Sequence, residues 1–179
     1  FRAWEKDGTW MKMNDELRTQ VRGKAGRNAQ PSAGSVDSQS VKTARGGEEI
    51  GYDGGKKVKG RKRTILVDTM GLLLGVCVHG AGRSDHQGML LLATFWSQVW
   101  SFLQVIWIDS TFAGKDFIAK IADQFGWQLE HLKRTSDESG FTVIPKRWVV
   151  ERTYAWFGNY RRLSKDYEFL STTSEMMLF

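Results

Sequence analysis

The sequence predicts an α/β fold, a mixed sheet flanked by helices with a short helical appendage at the N-terminus. Three observations predict it. The first half carries three strand-like runs joined by short connections. The middle carries "LQVIWIDS", a short and almost wholly apolar run that suits a buried parallel strand. From there onward, helical patterns alternate with strand-like ones, as they do when helices cover a sheet.

The elements follow in order. In "TWMKMNDELRTQVR", residues 9–22, Trp10, Met13, Leu17 and Val21 fall on one stripe at three- and four-residue steps. That spacing predicts a helix with the stripe as its apolar face and Thr9 as its cap. Gly, Asn and Pro make residues 23–33 a linker, so 1–30 reads as an appendage and 31–179 as the main domain. A first strand runs from Gly34 to Lys42. The Gly-rich, charged stretch "ARGGEEIGYDGGKKVKG" reads as a loop. "RKRTILVDTM" and "GLLLGVCVHG" are two further strands about the tight turn "TMG", which makes the first three strands an antiparallel meander. "SDHQGMLLLATFWSQVW" is a helix capped by Ser84, and "GKDFIAKIADQFG" is a helix closed by Gly126. "WQLEHLKR" is a fifth strand, and after a loop through Pro145 the run "KRWVVERTYAWFGNYRRLSKDYEF" is one long helical pattern.

Composition narrows the function. Hydrophobic residues are 41% of 179, with eight Trp and ten Phe, enough for a substantial core and against overall disorder. The net charge of +6 suggests a polyanionic partner, nucleic acid first, although a merely basic soluble protein fits the charge equally well. A single cysteine, Cys77, lies in an apolar run, so a disulfide framework is excluded. No apolar run approaches the roughly 18 residues of a membrane span, and no signal peptide is visible, which points to the cytoplasm.

Three acids stand where a fold could bring them together. Asp37 lies on the first strand, Asp109 ends the apolar fourth strand, and Glu151 lies on the last helix. Carboxylates are the ligands that hard divalent cations take, and two such cations about 4 Å apart serve phosphodiester chemistry. Taken singly, the acids have plainer readings. Asp37 alone reads as a turn or edge acid. Glu151 has Arg147 one helical turn before it and Arg152 beside it, so an ion pair explains it. Asp109 is harder to dismiss, because an ionised carboxylate at the end of a buried strand is costly unless paired or metal-bound.

The segments "PSAGSVDSQSVKT", "GYDGGKKVKGRKRTILVDTMGLLLGV", "VIWIDSTFAGKDF" and "KRWVVERTYAWFGNYRRLSKDYEF" together resemble the bacterial insertion-sequence transposases of the DDE class, in the insertion-sequence-five group. The resemblance runs in order from about Phe1 to Phe169, with "FRAWEKDGTW" similar to the end of that family's N-terminal region. It implies a ribonuclease-H-like catalytic domain over 31–179, with 1–30 a remnant of an N-terminal helical DNA-binding region. It also implies that Asp37, Asp109 and Glu151 are the catalytic acids and hold Mg²⁺ or Mn²⁺, with Arg147 as the family's arginine four residues before the glutamate. The reaction so implied is hydrolysis of a phosphodiester at the transposon end, then attack of the freed 3′-hydroxyl on target DNA. The partners are double-stranded DNA, both terminal inverted repeats and target, with the protein a homodimer on the DNA ends in the bacterial cytoplasm, at the nucleoid.

The sequence departs from the broader signature at two places. A tyrosine three residues before the arginine is replaced by Ile144, and a basic residue seven positions after the glutamate by Gly158; Arg161 and Arg162 are the nearest basic groups. The departures leave the acids intact and leave open which side chains bind the DNA end. Two alternatives stand beside the transposase reading: a truncated, non-catalytic DNA-binding relic, and a nuclease of the same fold without strand transfer.

Other features divide between DNA contact and structure. "KKVKGRKR" holds Lys56, Lys57, Lys59, Arg61, Lys62 and Arg63, read as tracking phosphates rather than as a solvated strand edge. Arg147, Arg152, Arg161, Arg162 and Lys165 give the last helix a basic side with phosphate contacts expected. Trp148 and Trp156 are read as packing that helix on the sheet, with stacking on unpaired bases as the alternative. "GYDGGKK" lacks P-loop spacing. His79, His86 and His131 have no paired metal-ligand spacing. Asp68 reads as serving a turn and Asp85 as favouring a helix dipole.

Overall fold

The computed structural model describes residues 1–44, 46–132 and 146–179. Helices α1 (Arg2–Lys6) and α2 (Thr9–Lys24) precede strands β1 (Ala33–Lys42), β2 (Gly51–Asp53), β3 (Val58–Asp68) and β4 (Leu73–Gly80). Then come α3 (Asp85–Trp96), β5 (Val105–Ile108), α4 (Lys115–Phe125), β6 (Leu129–His131), α5 (Trp148–Gly158) and α6 (Ser171–Met176). A short 3₁₀ turn, Ser110–Phe112, joins β5 to α4.

One mixed sheet organises the described residues. β1 and β4 pair antiparallel with β3 on its two sides, and β1 also pairs in parallel with β5, which pairs in parallel with β6. This is the ribonuclease-H-like order, three antiparallel strands followed by parallel ones. Alternation along β3 sends Ile65 and Val67 to one face and Leu66 to the other. Leu66 joins Val36, Met89, Leu92, Ile106, Phe112, Ile121 and Trp127 beneath α3 and α4. Ile65 and Val67 join Val76, Val149, Val150, Tyr154 and Leu178 beneath α5 and α6. Cys77 is buried, and burial pushes its thiol up to about 12, so it is an inert core residue.

β4 is an edge, and side chains cover its outward backbone. The indole N–H of Trp100 donates to Leu74 O and that of Trp96 to Val76 O. The Glu175 carboxylate accepts from Val78 N–H, and that of Glu49 from Gly80 N–H. These groups occupy the positions another strand would need.

Several expectations are corrected. The stretch read as a loop contains β2, which forms a hairpin with the start of β3; Asp53 Oδ1 accepts from Lys56 N–H at its tip. The last helical pattern stops at Gly158, because the chain turns back to bring Asp166 into a buried pair with Arg61. Beyond it, Ser171–Met176 form α6, for which no element was expected. α2 is helical, but its docking face is inverted. Met13, Leu17 and Val21 are 43%, 58% and 42% exposed, while Arg18 and Arg22 are buried. Arg22 pairs with the buried Asp68, and Arg18 stacks on Trp100 at 4.4 Å. Thr9 is not the cap: Gly8 holds that position with φ 74°, and Asp7 Oδ1 accepts from Thr9 N–H. Ser84 does cap α3, in a reciprocal box with Gln87, and Gly126 ends α4 at φ 74°. Among the described residues the fifth strand is Leu129–His131; Lys133, Arg134, Ile144 and Pro145 lie outside the described residues.

Candidate active site

The sheet register brings the first two acids together. In the parallel pair, Ala33 lies beside Val105 and Ser35 beside Trp107. Two residues further, the same register sets Asp37 beside Asp109. β5 ends at Ile108, so Asp109 leaves the ladder and caps the 3₁₀ turn, its Oδ1 accepting from Thr111 N–H at 2.9 Å. Asp37 Oδ1 accepts from Ser38 N–H at 2.8 Å.

α5 supplies the third acid. Val149, Val150, Thr153 and Tyr154 form its buried face, which leaves Glu151 on the exposed side of its first turn. The helix is pinned to the sheet by polar bonds. Ser35 Oγ donates to Lys146 O, Thr153 Oγ1 to Gly71 O, Arg152 Nη2 to Met70 O, and the Tyr154 hydroxyl lies against Asp37 O and Arg63 O.

The three carboxylates converge on one guanidinium. Arg147 Nη2 lies 3.6 Å from Asp109, 3.9 Å from Glu151 and 4.0 Å from Asp37, and Arg147 is buried. Its Nε has no hydrogen-bond partner among the described residues. Burial pushes the Asp37 carboxyl up to about 6; the Ser38 N–H and Arg147 oppose the shift and Asp109 adds to it. Three carboxylates thus face one guanidinium. The donors are all carboxylate oxygens, the chemistry of a Mg²⁺ or Mn²⁺ site. Among the described residues no three acids are already spaced to share one ion. Their spacing is that of carboxylates around a guanidinium.

The expected DNA-contact residues separate into two groups. Lys56, Lys57 and Lys59 are exposed on the β2–β3 hairpin, and Lys56 Nζ lies 3.4 Å from Ser38 O, beside Asp37. Arg161 and Arg162 are exposed after α5, with Arg162 paired to Glu168 at 2.9 Å. Arg61, Lys62 and Arg63 are corrected, since all three are buried. Arg61 pairs with Asp166, Lys62 with Asp85 at 3.0 Å, and Arg63 donates to Leu163 O and Lys165 O. Arg147 is likewise turned inward to the acids. Arg152 is half-buried, its guanidinium 4.4 Å from the rings of both Trp148 and Trp156. Those two tryptophans are exposed, against the packing role expected of them.

Among the decoys, Asp68 accepts from Met70 and Leu72 N–H, and Asp85 sits in the first turn of α3 accepting from Ser38 Oγ and Lys62. His79 is buried between Thr64 Oγ1 and Gly80 O. Tyr154 was missed in the sequence. Its signal was a hydroxyl-bearing aromatic in the buried stripe of a helix, where the hydroxyl requires a partner. No helix of the described residues is long and apolar enough to cross a membrane.

A family model described as "Transposase DDE domain" matches residues 28–179. The chain is also similar to a chain in the "CryoEM structure of simian T-cell lymphotropic virus intasome in complex with PP2A regulatory subunit B56 gamma". That match has 12% identity and a TM-score of 0.47, and covers 82% of this chain and 48% of the other. The chain thus spans about half the length of the chain it matches there. No curated protein matches.

Proposed function

Because the chain belongs to the transposase DDE-domain family, we propose that it cleaves DNA at transposon ends and joins the freed ends to target DNA, with Asp37, Asp109 and Glu151 as its catalytic acids. Members of the family generally use divalent metal ions. The observation that carries the reading is the convergence of these three carboxylates, from β1, the end of β5 and α5, within 4.0 Å of Arg147.

When bound, Mg²⁺ or Mn²⁺ supplies Lewis-acid charge at the scissile phosphate. Asp37, Asp109 and Glu151 would hold it. Water attacks the phosphorus and gives a proton to solvent while the P–O3′ bond breaks and the leaving 3′-oxygen takes a proton from solvent to become a hydroxyl; that 3′-hydroxyl then attacks a target phosphorus, its proton passing through solvent to the target's 3′-oxygen as the target P–O3′ bond breaks. Lys56 reaches the backbone beside Asp37, its Nζ 3.4 Å from Ser38 O, and the exposed Lys57 and Lys59 share its hairpin; all three are suited to phosphates. Arg161 and Arg162 extend that contact. Trp148 and Trp156, stiffened by Arg152 between them, present aromatic surface beside Glu151 on which a base can stack. The partner is double-stranded DNA, terminal inverted repeat and target, held by a homodimer in the bacterial cytoplasm.

The test is nicking of a terminal-repeat duplex in Mg²⁺ or Mn²⁺, abolished by Asp37→Asn, Asp109→Asn or Glu151→Gln. Cleavage surviving in all three variants sinks the site assignment. A joined donor–target product separates transposase from nuclease. A second reading is a DNA-binding relic that keeps the fold and the basic face. Binding without cleavage in either metal would establish it.

A further inference from the structure

We propose that Tyr154 is a positioning residue, whose hydroxyl fixes the Asp37 backbone relative to Glu151. The proposal rests on the catalytic reading above. The Tyr154 hydroxyl lies 2.8 Å from Asp37 O and 2.7 Å from Arg63 O. Its one proton serves one carbonyl at a time, and the two acceptors belong to adjacent strands, β1 and β3. Tyr154 therefore ties its helix to both strands at the level of a candidate ligand. Glu151 lies three residues earlier on the same helix, one turn away, and Arg147 one turn beyond that. The side chain is buried, so its hydroxyl is held to these protein acceptors.

The other pins of α5 act elsewhere. Thr153 and Arg152 bond to Gly71 O and Met70 O in the β3–β4 turn, and Ser35 reaches the backbone of Lys146. Among the described residues only Tyr154 joins α5 directly to the backbone of an acid. Removing its hydroxyl leaves the helix docked through Val149, Val150 and the remaining pins while loosening the Asp37–Glu151 separation. Partners that orient ligands in this way change metal affinity by about 10- to 100-fold when lost.

The experiment compares wild type, Tyr154→Phe and Thr153→Ala, the last losing a pin remote from Asp37. Mn²⁺ binding is read by electron paramagnetic resonance, single-turnover nicking on the full chain at saturating DNA, and Tm by calorimetry. Tyr154→Phe is expected to weaken Mn²⁺ binding about 10-fold and slow nicking at least as much, with DNA affinity within about twofold. Thr153→Ala is expected to lower Tm comparably and leave Mn²⁺ binding unchanged. Wild-type Mn²⁺ affinity in Tyr154→Phe, or equal loss in Thr153→Ala, overturns the proposal. If wild type binds Mn²⁺ but never nicks, the transposase reading fails, while the Mn²⁺ comparison still decides the role of Tyr154. If wild type binds no Mn²⁺, the ligand assignment and this role fall together.

Discussion

Arg61 and Asp166 form an ion pair at 3.2 Å with both side chains fully buried, tying the middle of the sheet to the segment that follows α5. Arg61 also donates to Glu48 O, Glu168 O and Phe169 O, so one side chain gathers two distant stretches of backbone. Truncating one partner of a buried pair leaves the other charge unpaired and costs about 3–5 kcal/mol. Arg61→Ala is expected to lower stability by that order in urea titration and to leave the 159–170 segment open to proteolysis. Retention of wild-type stability would show that the pair is dispensable.

The exposed lysines on the neighbouring hairpin are expected to behave oppositely. Lys57→Ala and Lys59→Ala remove charge without removing an internal partner. Each should leave Tm unchanged and reduce the slope of log binding constant against log salt by about 0.9, the loss of one phosphate contact. An unchanged slope in both variants would place the DNA elsewhere. The contrast with Arg61 comes from a single basic run of sequence.

That run shows where sequence reading stops. Charge is local information, but burial depends on partners far along the chain: Asp166 for Arg61, Asp85 for Lys62, the carbonyls of Leu163 and Lys165 for Arg63. The same limit inverted α2. Its apolar stripe was correctly spaced, yet the helix docks by Arg22 on Asp68, a pairing no periodicity encodes. The strand order and helices of the sheet were legible because alternation, the apolar run before Asp109 and the cap at Ser84 are local signals. The three acids were singled out through their motifs, and the structure gathers them around one guanidinium. Their convergence on Arg147 and the part played by Tyr154 depend on the placement of α5, which tertiary packing decides.

Glu175 gives the fold a pH dependence. Burial between α6, which carries it, and β4 pushes its carboxyl up to about 7, with Glu5 adding and the Val78 N–H opposing. The folded state therefore keeps a proton that the unfolded chain releases near 4.5. Stability from this group falls as pH rises from about 4.5 to 7, and the penalty is complete above that. Glu175→Gln keeps an acceptor for Val78 N–H and removes the charge. It is expected to raise Tm by several degrees at pH 8, on the order of 2 kcal/mol, and to change little at pH 4. An equal effect at both pH values would refute the titration.

Trp96 tests the protected edge. Its indole N–H donates to Val76 O at 3.0 Å, and its ring lies against Gly75, where a Cβ would meet it at 2.8 Å. Trp96→Phe keeps an aromatic over the glycine but frees the carbonyl on an edge strand. The expected loss is about 1 kcal/mol from the hydrogen bond, together with faster aggregation during refolding. Light scattering indistinguishable from wild type would mean that the remaining caps from Trp100, Glu175 and Glu49 suffice.

Gly71 is the residue on which α5 rests. Its φ is 78°, and a Cβ there would meet Arg152 Nη2 at 2.9 Å, Thr153 Oγ1 at 3.0 Å and Val149 O at 3.1 Å. Gly71→Ala combines a left-handed backbone with crowding against the helix backbone, a combination expected to cost about 1–3 kcal/mol. Asn tolerates the left-handed region better than Ala does, so Gly71→Asn separates the two causes. If backbone strain dominates, Asn is the milder change. If crowding dominates, Asn is at least as damaging, because its larger side chain enters the same contact. Urea midpoints of the two variants decide between them, and a wild-type midpoint in both would mean that α5 does not press on this turn.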